Sequence, residues 1–353
     1  MVKFALKCII SSIIIFPILF FCGCEDKKEK GNIVQEEDPL ILGEYILKFS
    51  HVVDPNTPKG RAASFFEKRL EQLSKNRIDV QVFPSSQLYT DDAVLKALKL
   101  DTVQMAAPSF SKFSEIVPQL ELFDLPFLFK DMAHVHRMQD GKEGQKLKDI
   151  VNSRGYISLA FWDNNFKQLT SSKKALILPE DIKGQKIRIM SSKVLQEQFD
   201  ILGAYTQMIP FSEVYSQLQR GNIDGQENTI SNIYTKDIYK VQKYITMTNH
   251  GYLGYLVVMS KKFWDSLPQD LQDNVLQAVK EATAKQREYA QESNVKQFDL
   301  IKEYSKKSGK LKIINLTKEQ RDAWKKAVIK IYPNFSDSDK IGEDLIKSVL
   351  VTE

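Results

Sequence analysis

From Gln269 to Ser308 the sequence runs through forty residues without a glycine or a proline, between Pro268 and Gly309. Pro268 suits the first position of a helix and Gly309 suits its end. At about 1.5 Å per residue, one helix over this stretch would span roughly 60 Å. A helix that long has to cross more than one domain. The chain of 353 residues, 42% of them hydrophobic, is long enough for two.

The segments before it alternate between strand and helix patterns. "YILKFSHVV" (45–53) reads as a strand, and "GRAASFFEKRLEQLSKN" as an amphipathic helix with Phe65, Phe66, Leu70 and Leu73 on one side. "IDVQVFP" (78–84) alternates as a strand does, "TDDAVLKALKL" opens with a capping residue and acids, and "VQMAAPS" is a short strand. This β-α-β-α-β order predicts a mainly parallel sheet covered by helices, with ligands beyond the carboxyl ends of its strands. That rule nominates His51, Pro84 to Gln87, and Ala107 to Phe110. A second set follows: strands at "GYISLAFW", "IKGQKIRIM" and "YLGYLVVMS", and helices at "SSKVLQEQFDILG" and "FSEVYSQLQRG".

The N-terminus carries a targeting signal. Lys3 and Lys7 precede the apolar run "CIISSIIIFPILFF", which is too short for a membrane span but suits a signal peptide. Phe21-Cys22-Gly23-Cys24 resembles a lipobox, with Cys24 the residue to be acylated because small Gly23 precedes it. Plain secretion is the alternative. Residues 25–40, "EDKKEKGNIVQEEDPL", are charged and poor in apolar residues, as a tether would be. All three cysteines, Cys8, Cys22 and Cys24, lie in this N-terminal segment, so the folded body has no thiol nucleophile, disulfide or cysteine metal site.

Reactive chemistry finds little support. The formal net charge is +5 with no basic block, against a nucleic-acid partner. HExxH, GxSxG, P-loop and GxGxxG motifs are absent from strand-turn-helix contexts. His134 and His136 are two residues apart, a poor spacing for a shared metal on a helix. No metal or cofactor is expected, and no enzymatic activity. What remains is a set of lone polar residues near strand ends: Lys167, Arg188 and Asn228. In "KIRIM", Arg188 faces away from its two isoleucine neighbours. That side is either a cleft, where the guanidinium would grip a carboxylate through two parallel bonds, or a solvated face.

Ten stretches, in order, carry a family resemblance: "ILKFSHVVDPNTPKG", "FPSSQLYTDD", "VQMAAPS", "LFDLPFLF", "FWDNNFKQLTSS", "IKGQKIRIM", "EQFDILGA", "PFSEVYSQLQRGNIDGQEN", "VQKYITMTNHGYLGYLVVMS" and "FWDSLPQDLQ". The exported body is similar over its whole length to the periplasmic solute-binding subunits of tripartite ATP-independent periplasmic (TRAP) transporters, nearest the branch binding C4-dicarboxylates.

The resemblance implies an α/β, two-lobed periplasmic binding protein fold with hinge strands and a long lobe-spanning helix. It implies a signal peptide over 1–23 and a tether over 24–43. Lobe I would comprise 44–165 plus 254–290, lobe II 166–253 plus 310–353, and the bridging helix 268–308. The family's carboxylate-gripping arginine falls on Arg188, its amide partner on Asn228 and its aromatic on Phe211. Where many members carry another arginine this chain has Lys167, a compact cation suited to the far carboxylate of a dicarboxylate. Trp162, His51 and Ser109 join as lining residues by strand-end position. The expected role is capture of succinate, malate or fumarate by cleft closure and delivery to the small and large TRAP membrane subunits. The protein would act as a periplasmic monomer, either lipid-anchored through Cys24 or simply secreted. Another organic acid in the same fold, or a lipid-anchored sensor, are the alternatives.

Overall fold

The computed structural model describes residues 43–351. The leader, Cys24 and nearly all of the tether lie outside the described residues. Among the described residues eleven strands appear in chain order: β1 (Tyr45–Ser50), β2 (Ile78–Phe83), β3 (Met105–Ala106), β4 (Tyr156–Phe166), β5 (Gln168–Ser171), β6 (Lys186–Ile189), β7 (Tyr205–Met208), β8 (Gly225–Asn228), β9 (Tyr244–Met247), β10 (Tyr252–Ser260) and β11 (Lys312–Asn315). They form two sheets, ordered β2-β1-β3-β10-β4 and β11-β9-β5-β8-β6-β7.

Both sheets are mixed rather than mainly parallel. β1, β2 and β3 are parallel, as their helical crossovers require, but β10 runs antiparallel to β3 and β4. In the second sheet β5 is antiparallel to both β8 and β9. The reversals arise because the chain passes between sheets by extended segments instead of helices. β4 leads into β5 through Lys167 alone, and β9 leads into β10 through residues 248–251. The two crossings are joined where the Lys167 amide donates to the Gly251 carbonyl at 2.7 Å.

β10 is buried on both faces. Leu256 and Val258 point into one core, while Tyr255, Val257 and Met259 point into the other. The second sheet has its own cores, one around Leu169, Ile187 and Ile189 and one around Ile223, Ile245 and Ile301.

The uninterrupted stretch forms a single helix, Gln269–Ser308, closed by Gly309 in the left-handed conformation (φ 65°). Leu271, Val275, Ala278, Val279 and Ala282 pack on the first sheet, and Ile301 packs with the second. Midway, Gln286 accepts from the Asp163 amide at 2.8 Å and donates to its carbonyl, pinning β4 just before the crossing.

Residues 331–349, expected with lobe II, bury Ile331, Phe335, Ile341, Leu345, Ile346 and Val349 in the first sheet's core. The helix Glu343–Val351 packs beside the helix Lys142–Ser153, and the Val349 carbonyl bonds His134 Nε2 at 2.9 Å. The "GQEN" segment is β8, held inside the second sheet between β5 and β6.

Candidate functional site

A small cavity, about 20 Å³, lies where strand ends from both sheets meet. Val52, Val53 and Ser109 follow β1 and β3, and Asp91 opens the helix Asp91–Lys99. Arg188, Met190, Phe211, Asn228 and Asn232 come from the second sheet and its connections, while Leu253 and Tyr255 come from β10.

Arg188 dominates the electrostatics. Alternation along β6 sends Ile187 and Ile189 into the core and turns the guanidinium to the cavity. Arg188 is 2% exposed, and its Nε donates to the Ile209 carbonyl at 2.8 Å. Its terminal nitrogens have no hydrogen-bond or ion-pair partner among the described residues. Burial pulls its pKa down to about 10, against the opposing pull of Glu227 and Asp91. A buried cation with open donors is costly unless an anion meets it.

Asn228 is oriented by its neighbours. Its Oδ1 accepts from the Thr229 amide at 3.0 Å and from Asn232 Nδ2 at 2.8 Å. The remaining function of the amide is its NH₂ group, a donor in the same wall as Arg188. Phe211 is half-buried at the edge of the cavity, and Ser109 reaches Met190 Sδ at 3.5 Å.

Three nominated residues do not line the cavity. Lys167 is 1% exposed, and its Nζ lies 2.7 Å from Glu227 Oε1 and 3.8 Å from Asp124 Oδ1. The lysine at this post turns to the acid beside the strand crossing, so its charge is compensated within the protein. Trp162 faces the opposite side of β4: Nε1 donates to Thr283 of the long helix at 2.9 Å, and the ring packs 5.9 Å from Phe49. His51 is buried with its ring edge-on to Phe49 at 6.2 Å, and burial lowers its pKa to about 3, leaving it neutral. Strand-end position found the right end of the sheet, but the direction of a side chain depends on the pleat and the crossing.

Other wall residues escaped the sequence reading. Asp91 has no ion-pair or hydrogen-bond partner among the described residues, and burial raises its pKa. Tyr255 accepts from Asn164 Nδ2 at 2.7 Å and carries the buried Lys59 ammonium 3.7 Å from its ring centroid. One signal was legible: Lys59, Ala62, Ala63, Phe66 and Leu70 share the buried stripe of one helix, an odd place for a lysine.

Two larger grooves, about 670 and 440 Å³, lie away from this cavity. Their arginines are paired, Arg61 with Glu292 and Arg287 with Asp140. Among the described residues no group of three or more histidines, cysteines or acids could hold a metal.

Residues 49–339 match the family described as bacterial extracellular solute-binding protein, family 7. The C4-dicarboxylate-binding periplasmic protein DctP of Rhodobacter capsulatus is 41% identical, covering 88% of this chain and 92% of its own. The protein of the same description from Vibrio cholerae is 44% identical over 87% and 91%. Among solved structures, a TRAP periplasmic solute-binding protein from Sulfurospirillum deleyianum with bound succinate is 53% identical, with a TM-score of 0.86, covering 88% of this chain and all of that one. A counterpart from Pseudomonas aeruginosa with bound L-malate is 36% identical, with a TM-score of 0.78, over 82% and 100%. The chain belongs to the family 7 bacterial extracellular solute-binding proteins, the ligand-capturing and non-enzymatic subunits of TRAP transporters.

Proposed function

We propose that this protein captures a C4-dicarboxylate, of the succinate, malate or fumarate type, in the cavity between its sheets. One observation carries the reading: Arg188 is buried with its terminal donors unpartnered, so the wall is complete only when an anion arrives. A carboxylate would accept two parallel bonds from the guanidinium and a third from Asn228. Phe211 would pack on the carbon skeleton, and Ser109 would close the opposite side. The relatives described as binding C4-dicarboxylates, and the similar structures holding succinate and L-malate, support this ligand class.

Lobe I (44–165 with 254–290) and lobe II (166–253 with 310–330) would close about the two strand crossings, with 331–353 moving with lobe I. Closure removes water and strengthens the charged bonds. The closed form would be presented to the small and large TRAP membrane subunits. Cys24 would anchor the protein by a lipid on the outer face of a membrane, leaving it a monomer in the periplasm.

Calorimetric titration with succinate, malate and fumarate tests the reading. Micromolar or tighter binding by at least one C4 acid is expected, and Arg188→Met should weaken it by more than a hundredfold while the protein stays folded. No binding of any C4 acid would overturn the ligand class. Unchanged affinity in Arg188→Met would overturn the site.

A further inference from the structure

A dianion needs compensation at both poles, and Arg188 serves one. Lys167, the cation expected at the other, is neutralised by Glu227.

Lys59 is a second buried cation without a counter-ion. It is the second residue of the helix Pro58–Ser74 and is 1% exposed. Its Nζ makes one hydrogen bond, to the Ala107 carbonyl at 2.9 Å, and lies over the Tyr255 ring at 3.7 Å. Among the described residues it makes no ion pair. The first turn of a helix is also where the macrodipole disfavours a positive charge. The ring face offsets only part of the cost of burying an ammonium. Burial lowers its pKa to about 8.

The charged and titratable groups around it are His51, Asp91 and Tyr255. His51 is neutral, and the Tyr255 hydroxyl keeps its proton because burial pushes its pKa up. Asp91 stands in the cavity wall, beyond ion-pairing distance, and only partly draws the lysine back. Tyr255 and Asp91 line the cavity that Arg188 faces, and the lysine, outside the wall itself, lies against the ring of Tyr255.

Resting on the dicarboxylate reading, we infer that Lys59 is the second cation of the ligand site. Held over Tyr255, it compensates the carboxylate that Arg188 does not reach.

The test compares succinate with succinamate, which replaces one carboxylate by a neutral amide. The purified protein should prefer succinate by at least a hundredfold. Lys59→Met fills nearly the same volume without the charge and should narrow that preference to within threefold. A preference that survives in Lys59→Met overturns the assignment while leaving the dicarboxylate reading intact. Failure of the unaltered protein to bind any C4 acid removes both. Should Lys59→Met not fold, proton uptake by the unaltered protein decides. Succinate binding at pH 8.5, followed by calorimetry in buffers of different ionisation enthalpy, should take up more than about half a proton per ligand. Uptake near zero overturns the inference.

Discussion

Lys167 Nζ lies 2.7 Å from Glu227 Oε1, at the one residue separating β4 from β5. Glu227 Oε2 accepts from His250 Nε2 at 2.8 Å, and His250 belongs to the second crossing, residues 248–251. One carboxylate from β8 thus holds both connections between the sheets. Gly251 completes the joint: a Cβ there would lie 2.8 Å from Lys167 Cε. The acid in the amide-rich "GQEN" segment therefore ties the two crossings together, while Asn228, the next residue, faces the small cavity.

Glu227→Gln should destabilise the protein strongly. It would leave Lys167 buried without its nearest anion and weaken the bond to His250. Breaking a buried pair on one side costs about 3–5 kcal/mol. Chemical denaturation should show a midpoint lowered accordingly, and a loss below about 1 kcal/mol would contradict that role.

Acid stability follows from three buried groups. Lys167 and His250 hold Glu227 at about 2 despite burial, below its unfolded value of 4.5. Its contribution is complete above pH 4.5 and is lost as pH falls towards 2. His51, lowered from 6.5 to about 3, acts in the same direction, starting below pH 6.5. Asp124 acts in the opposite direction: burial raises it to about 7, so its cost is relieved as pH falls from 7 towards 3.8. The ligand-free unfolding free energy should stay nearly level from pH 7 to 4.5, then fall steeply. Asp124→Asn, which removes the compensating group, should move the onset of the fall up towards pH 6.5.

A polar clasp crosses from one sheet's side to the other. Lys112 Nζ donates to Asp92 Oδ1 at 2.6 Å and to Ser191 Oγ at 3.0 Å. Asp92 and Ser191 each follow a residue of the cavity wall, Asp91 and Met190. Lys112→Met should speed ligand release roughly three- to tenfold, since such a bond contributes about 0.5–1.5 kcal/mol. Stopped-flow fluorescence should find the association rate changed much less.

Gly225 admits no side chain. A Cβ would sit 2.1 Å from the Thr170 carbonyl oxygen, a backbone atom of the neighbouring strand β5. Gly225→Ala would force β8 from its partners and should cost about 3 kcal/mol. Thermal unfolding would read this as a lowered midpoint, with ligand affinity reduced because Asn228 lies three residues further along the strand.

Much of this was legible before any coordinates. Elements governed by local periodicity were plain: the glycine- and proline-free helix, the amphipathic helix after β1, and the alternation that puts Arg188 opposite two isoleucines. Asn228 and Phe211 came through motif resemblance and do stand in the cavity wall. Lys167 was misplaced because its direction depends on Glu227, sixty residues away, and on how tightly Gly251 lets the crossings approach. Lys59 was missed although it lies on an apolar stripe, because the stripe shows only that it is buried. What surrounds it, Tyr255 from β10 and Ala107 from the end of β3, is brought there by the sheet. The long helix, the amphipathic helix after β1 and the longer strands followed from the order of residues alone, since local periodicity depends on neighbours within a few residues. The tertiary structure alone decided which buried charges meet a counter-charge and which are left open to a ligand, because charge pairing depends on distances between segments far apart in the chain.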